Sequence, residues 1–574
     1  MPGIETPTGN QAAAPREQPF KLLQGVLPID RARVPIDVIA GVTLAALAIP
    51  EVMGYTSIAG TPAVTGLYTI LLPIAAFAIL GSSRHLVVGG DSATAAILAA
   101  GLVGLAAPES PTYVSLAALA ALMTAGWLIL ARASGLAFLA DFLSRSVLVG
   151  FLTGVGIRVA AGQIPGMLGV PGGGTGTIDK AITALSQVAQ TNVSTLLVSL
   201  FVLAVIVVVR RRAKQIPGAL MAVVGSIVAS DALNLAALGV TPLGPVPGGL
   251  PSIGLPDVGL SDIAPLLGTT VSMFVVILAQ SAATSRAYAA RYEERSDENT
   301  DLLGLAFANL AAGLSSTFVV NGSPTKTQMV DSAGGRSQLA QLACAGVVLL
   351  VLLFLTGPLA FMPKAVLATI VFLIGVELVD IPGMRSVLAA RPREFWVALL
   401  TTVVVVVVGV EQAIIVAMAA SLISHTRRGY SPHNAVLVPN PAGLWRPRPV
   451  AEGGQAAPGL VIYRFTHSLY YANAQKFQDE VLELTRPSAT RTRWLCVDGA
   501  AIDDVDYTAG AMLAQVARTL RARKVRLVFA DVSAHVRREL DRSGVTALVG
   551  TDAYLDDLVQ VSDEYGRDAA SGEQ

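Results

Sequence analysis

Gly81-Ser82-Ser83-Arg84-His85-Leu86-Val87-Val88-Gly89-Gly90-Asp91-Ser92-Ala93-Thr94 opens on small and polar residues and runs into an apolar stretch over 91–105. That stretch is too short to cross a bilayer core, which takes about 20 helical residues. A counterpart lies far along the chain: Val320-Asn321-Gly322-Ser323-Pro324-Thr325-Lys326-Thr327, a short helix over 325–334, then Asp331-Ser332-Ala333-Gly334-Gly335. Half-length helices with polar lead-ins at matching places in two halves of a chain point to a solute site near the membrane midplane. Free amides and the positive dipole end at a helix start favour an anion there, and Lys326 adds a full charge. The plainer reading of either stretch is a Gly-rich loop.

The rest of the chain places these segments in a membrane. Of 574 residues, 53% are hydrophobic and 14% charged, against about 25% charged in soluble domains. Mean hydropathy is +0.62. Forty basic and forty acidic residues balance, so no overall field recruits nucleic acid. Cys344 and Cys496 alone cannot make a disulfide scaffold, and His85, His425, His433, His467 and His535 are too scattered for a metal-ligand spacing. No cofactor or metal is expected. Apolar spans are expected at 36–54, 62–80, 112–132, 146–164, 194–210, 217–234, 264–284, 302–317, 338–357, 364–380, 394–410 and 411–425. With the two short pieces this gives about fourteen segments in two sets of about seven, each short piece third in its set.

Orientation follows from Arg and Lys in the loops. They cluster at Arg31/Arg33, Arg132/Arg145, Arg210–Lys214, Arg286–Arg295, Arg385–Arg393 and Arg427/Arg428, whereas 106–112 and 235–262 hold none and 165–193 only Lys180. Both termini are therefore expected in the cytoplasm, in a multi-pass protein of the cell inner (plasma) membrane. From residue 437 onward roughly a quarter of residues are charged, before it roughly a tenth, a contrast between soluble and membrane composition. The expected domains are a disordered tail over 1–20 without a signal peptide's apolar core, a transmembrane domain over 21–428, a linker over 429–458, an α/β domain over 459–566 and a short tail over 567–574.

Ionisable residues inside spans are functional candidates, because charge in hydrocarbon costs several kcal/mol. Glu51 follows Pro50 in an apolar helix and is a candidate proton carrier, or else a local cap where that proline breaks the helix. Asp91 suits a helix cap; an ionised carboxylate at an anion site would repel its ligand. Lys326 reads as the attracting charge, or as the partner of Asp91 or Glu51 when the site is empty. Glu377, Asp380 and Glu411 sit at span ends and read as structural. Cys344 reads as a packing residue.

Four ordered motifs resemble the SulP family of anion transporters: Ile49-Pro50-Glu51-Val52-Met53-Gly54-Tyr55 with Ala59-Gly60-Thr61-Pro62 and Gly66-Leu67-Tyr68; Gly81–Thr94; Asn309-Leu310-Ala311-Ala312-Gly313; and Ser323 to Gln338. The resemblance covers nearly the whole chain. It implies a polytopic α-helical membrane protein of 14 segments, built as two inverted seven-helix repeats divided into a moving core and a gate. It also implies a homodimer in the bilayer. By position, Tyr55, Asp91, Ser92, Ala93, Gln280, Ser323, Thr325 and Lys326 would line the anion site. The chain departs from the family at four places: Glu51 where Gln is frequent, Gln280 where many members carry an acid, Gly90 where Pro is frequent and Lys326 where many have Arg. A shift of the coupling acid from the eighth helix to Glu51 in the first would account for two of them.

The C-terminal part alternates strands (Leu460–Phe465, Arg493–Val497, Val525–Phe529) with helices (Ala474–Glu483, Ala509–Arg521, Val536–Asp541), the pattern of helices layered on a sheet. Leu469–Ala474 and Val497–Thr508 resemble a STAS domain, a cytoplasmic α/β module. In related modules a Ser or Thr after an Asp is phosphorylated, which makes Thr508 a regulatory candidate and otherwise a helix N-cap. The expected function is secondary active transport of a small inorganic anion of the sulfate or bicarbonate class, coupled to a proton or sodium ion. Proton-coupled dicarboxylate uptake is one alternative, and a membrane anion sensor signalling through the STAS domain is another. An intramembrane enzyme lacks paired catalytic groups in the spans.

Overall fold

The computed structural model describes residues 22–571, apart from 136–144, 172–176, 213–217, 295–296, much of 411–431, 441–443 and 487–490. The chain divides into two units, Met1–Ser421 and Leu422–Gln574. Glu411 and most of the expected span 411–425 lie outside the described residues.

The first unit is helical. Its first part holds α1 (Val34–Ala59), α2 (Ala63–Thr69), α3 (Leu72–Leu80), β1 (Val88–Gly90), α4 (Ser92–Leu102) and α5 (Pro111–Ala133). Then come α6 (Arg145–Leu168), α7 (Thr177–Ser186), α8 (Val193–Arg212) and α9 (Gly218–Ala232). The second part holds α10 (Ile263–Arg291), α11 (Glu298–Leu314), β2 (Val320–Gly322), α12 (Pro324–Ser332), α13 (Leu339–Phe354), α14 (Thr356–Leu359), α15 (Lys364–Leu378), α16 (Ile381–Ala390) and α17 (Pro392–Val407). Among the described residues, seven helical stretches are long and apolar enough to cross a membrane.

Local chemistry sets the ends. Helix α1 stops where Gly60 takes a left-handed conformation at φ 75°, which glycine adopts without a Cβ penalty. Pro50 lies inside α1, and the helix continues through it; the expected break does not occur. Proline removes one ladder bond, a loss that membrane helices can absorb locally. Asp380 caps α16 by accepting from the Gly383 amide at 2.8 Å, and Glu377 pairs with Arg210.

Two packing groups form. In one, α1 packs on α2, α4, α12 and α13, α11 on α3 and α5, and α10 on α4 and α5. In the other, α6 packs on α15 and α17, and α8 on α9 and α15. Helix α1 touches α9 and α15 across the division, and α4 touches α6. Small residues permit the tight crossings, as is usual between membrane helices. A Cβ on Gly156 would stand 2.5 Å from the Gly375 carbonyl oxygen, and one on Gly375 2.6 Å from the Ala160 nitrogen. Cys344 is fully buried in α13.

The second unit is a six-stranded sheet in the order β4-β3-β5-β6-β7-β8, with β3 Ala435–Pro439, β4 Trp445–Pro449, β5 Leu460–Arg464, β6 Trp494–Asp498, β7 Arg526–Ala530 and β8 Tyr554–Leu555. Strands β5 to β8 are parallel and β3 and β4 antiparallel. Helices α18 (Ala474–Leu484), α19 (Tyr507–Ala522), α20 (Ala534–Arg542) and α21 (Val545–Val549) precede the last, α22 (Leu558–Ser571). Phe465, Phe477, Leu513 and Phe529 belong to one hydrophobic core of the unit; Ile462, Trp494, Val561 and Tyr565 belong to a second. A sheet covered on both faces explains why β5, β6 and β7 read as unbroken apolar runs.

Two parts of this unit differ from expectation. The hairpin β3–β4 occupies the stretch read as linker, and α22 runs to Ser571 where a tail was expected from 567. Pro447 and Pro449 masked the hairpin, since proline demotes a strand. Strand β4 is the sheet edge, where proline is tolerated.

Candidate functional site

The site is built on a bridge of two short strands. Val88, Gly89 and Gly90 pair antiparallel with Gly322, Asn321 and Val320. Each strand leads into a half-length helix, so α4 and α12 leave the bridge in opposite directions with their N-termini at its two ends. Irregular backbone at membrane depth must have its polar groups satisfied by the protein, and side chains do this. Asn309 of α11 both donates to the Val320 carbonyl at 2.9 Å and accepts from its amide at 3.0 Å. Gln341 of α13 accepts from the Val88 amide at 3.0 Å. Thr327 accepts from the Val87 amide at 3.0 Å, and the Ser323 amide donates to the Val87 carbonyl at 2.8 Å. Ser281 accepts from the Gly322 amide at 3.0 Å.

The lead-in to β1 is held the same way. The buried Asp301 carboxylate accepts from the Ser82 and Ser83 amides, both at 2.8 Å, and from the Ser82 and Ser285 hydroxyls at 2.9 and 2.8 Å. Gln338 donates to the Ser83 and Leu86 carbonyls at 2.7 and 2.9 Å.

Asp91 caps α4, accepting from the Ala93 amide at 2.9 Å, and forms no ion pair among the described residues. Ser92 and Ala93 are buried at the same helix start. Ser323 caps α12 by accepting from the Lys326 amide at 3.4 Å, while Thr325 is exposed.

Lys326 is the centre of the arrangement. It is 0% exposed, yet its Nζ has three partners: Glu51 Oε2 at 3.0 Å, the Gly90 carbonyl at 2.9 Å and the Tyr55 ring face, 4.8 Å to the centroid. Tyr55 lies one turn beyond Glu51 on α1 and donates its hydroxyl to Glu51 Oε1 at 2.6 Å. A buried ion pair offsets desolvation only when its donors and acceptors are satisfied; Tyr55 serves Glu51 Oε1 and Gly90 the lysine, while Glu51 Oε2 has the Lys326 charge beside it but no hydrogen bond. Lysine on a tyrosine face gains further attraction. Between the two partners open to Lys326 in the sequence, the geometry selects Glu51. Gln280 stands apart from this cluster: its Oε1 accepts from Asn321 Nδ2 at 2.6 Å. Asn321 Oδ1 is buried without a hydrogen-bond partner.

Asp301, Gln338, Gln341 and the bonding of Asn309 were not singled out in the sequence. Their common signal is a polar residue in or beside an apolar span, the same signal that marked Glu51.

In the second unit, Thr508 is exposed within the first turn of α19, and the cap is Asp506, which accepts from the Ala509 amide at 2.7 Å. The capping role considered for Thr508 is corrected accordingly: its position inside the helix removes it from cap geometry. Tyr507 beside it is 91% exposed. Nearby, the Ser468 hydroxyl donates to Asp503 and holds its carboxyl below the usual range. Asp506→Ala is expected to destabilise this unit by about 1 kcal/mol, as loss of a cap does, while Thr508→Ala leaves its thermal melt unchanged. Equal melts for the two variants would show that Asp506 does not cap α19.

Comparison with known proteins agrees with this architecture. Residues 35–401 match the sulfate permease family and residues 455–558 the STAS domain. A probable sulfate transporter of Mycobacterium tuberculosis is 33% identical over 520 residues, 90% of this chain and 92% of the relative. High affinity sulfate transporter 1 of Stylosanthes hamata is 25% identical over 561 residues, 93% of this chain and 84% of the relative. Among solved structures, the murine Solute Carrier 26 family member A9 anion transporter in the inward-facing state superposes with a TM-score of 0.86 at 20% identity, covering 96% of this chain and 95% of that one. The transmembrane domain of a cyanobacterium bicarbonate transporter, BicA, gives 0.60 at 22% identity over 69% of this chain and 98% of that one. The match over residues 35–401 and the 33% identical relative place this chain in the sulfate permease family, as a multi-pass membrane protein with a C-terminal STAS domain.

Proposed function

We propose that this chain carries a small inorganic oxyanion of the sulfate or bicarbonate class across the plasma membrane by alternating access, as a homodimer with both termini cytoplasmic. The reading assigns the fourteen segments to two inverted repeats. The anion sits between the starts of α4 and α12, lined by Tyr55, Asp91, Ser92, Ala93, Gln280 and the Ser323–Lys326 turn. The observation that supports this best is Lys326: a fully buried cation at a helix start, neutralised by a carboxylate from another helix.

That pairing suggests the coupling. In the empty site Glu51 holds the lysine. An arriving anion competes for Lys326, and the displaced carboxylate is neutralised most cheaply by taking a proton at Oε2, since an unpaired buried charge is costly. Anion and proton then cross together. Relatives named sulfate transporters favour sulfate as the first substrate to test.

The test is flux in proteoliposomes. Labelled sulfate is expected to accumulate when the outside is acidic and the inside alkaline, with bicarbonate and succinate as competitors. Glu51→Gln is expected to reduce gradient-driven accumulation to the level without a gradient, while sulfate exchange at equal pH persists. Gradient-driven accumulation that survives in Glu51→Gln would remove Glu51 from the coupling. Anion binding without flux of any tested anion would favour a sensor.

A further inference from the structure

A second anion-binding feature lies away from the Lys326 site, at the start of α1. A shallow cleft there is lined by Arg33, Arg84 and Arg336 together with Asp30, Asp37 and Ser337. Arg336 is further paired with Asp331 and Arg84 lies 3.9 Å from Glu294, so the cleft's uncommitted donor is on Arg33. Asp37 is occupied, accepting from the Arg336 amide at 2.8 Å and the Ser337 hydroxyl at 2.5 Å. Asp30 accepts from the Ala32 amide at 3.0 Å. Donors remain unused: Arg33 spends Nη2 on the Gly334 carbonyl at 2.9 Å, but its Nε is buried with no partner. Arg84 reaches the Leu27 and Arg336 carbonyls, and Arg336 turns Nη1 to Asp331 at 2.7 Å.

What adjoins the cleft indicates the source of the anion. Leu27 and Ile29, in the segment before α1, are exposed, as are Ile36, Ile39 and Val42 along α1. The α1 residues follow one another at intervals of three along the helix, an exposed apolar strip that begins beside Arg33. A free phosphate has no use for such a strip; an acyl chain does. We propose that this cleft binds the phosphate of an anionic phospholipid of the cytoplasmic leaflet, with an acyl chain along Ile36, Ile39 and Val42. The proposal rests on the orientation read from the basic loops. Planar guanidinium groups suit phosphate oxygens, and that leaflet face carries anionic lipid. Arg33, Arg84 and Arg336 come from the α1 start, the β1 lead-in and the α12–α13 turn, so one headgroup would tie together the three chain segments that carry Glu51, Asp91 and Lys326.

The experiment uses the purified full-length chain in a neutral detergent. Short-chain phosphatidylglycerol, short-chain phosphatidylcholine and inorganic phosphate are titrated in turn, with thermal melting and bound mass as readouts. Phosphatidylglycerol is expected to bind and raise the melting temperature, while the other two leave it unchanged. Arg33→Gln and Arg84→Gln are each expected to weaken that binding about tenfold, the loss of one charge-assisted contact. Arg31→Gln, exposed and outside the cleft, is expected to bind as the parent does. Should Arg84→Gln fail to fold, Arg33→Gln decides, and Arg33→Lys, which keeps the charge but not the planar fork, accompanies it because Arg33 also bonds the Gly334 carbonyl. Equal responses to the two lipids, full reproduction of the shift by phosphate, or an unchanged affinity in Arg33→Gln would each overturn the proposal.

Discussion

Lys326→Gln is expected to abolish anion uptake and also to yield a less stable protein. Glutamine removes the one cation that, among the described residues, stands beside Glu51 Oε2, and leaves that carboxylate the Tyr55 hydroxyl. Removing one partner of a buried pair costs about 3–5 kcal/mol, a large part of the 5–15 kcal/mol that holds an ordinary fold together. The single variant should therefore melt well below the parent and give less monodisperse protein. The double variant Glu51→Gln/Lys326→Gln removes both charges and should recover most of the melting temperature while remaining inactive in sulfate flux. Recovery without activity separates the fold's need for a balanced pair from the anion's need for a lysine. A single variant as stable as the parent would mean that no buried pair exists. A double variant that transports normally would mean that the lysine is not the anion's partner.

Asp301→Ala is expected to do comparable damage from a position that touches no substrate. Its carboxylate satisfies two amides and two hydroxyls around the β1 lead-in. Alanine strands those donors in a buried place at about 1–3 kcal/mol each, although the hydroxyls can rotate toward other acceptors. The loss of several kcal/mol should appear as poor recovery of folded protein and as lost flux in what is recovered. Asp301→Asn keeps one carbonyl acceptor and should fall between the two. A normal melt for Asp301→Ala would show that the lead-in is held by other groups, with Gln338 the first to examine.

The two half-length helices were legible because each polar lead-in contrasts with apolar flanks. The strands β5, β6 and β7 were legible because both faces are covered. The partner of Lys326 was not, since Glu51 and Asp91 were equally placed by type and only the crossing of α1 with α12 decides between them. Asp301 and Gln341 were missed for a related reason. Each bonds to backbone far away in sequence, and no local period records a side chain that completes another segment's ladder. At Thr508 the motif was found but the cap lay two residues earlier, because Asp506 and Thr508 are both good capping types and only backbone geometry ranks them.

The bridge between β1 and β2 also orders the making of the protein in time. The Val87 amide waits for a hydroxyl 240 residues further along, on Thr327. Until the second half has been synthesised and inserted, Val88 to Gly90 have no strand partner and α4 begins from backbone with nothing to bond. Contacts so distant in sequence form late. The half-site in the first repeat is thus an unfinished joint during biogenesis, and a fault in α11 or α12 would surface as failure of α4.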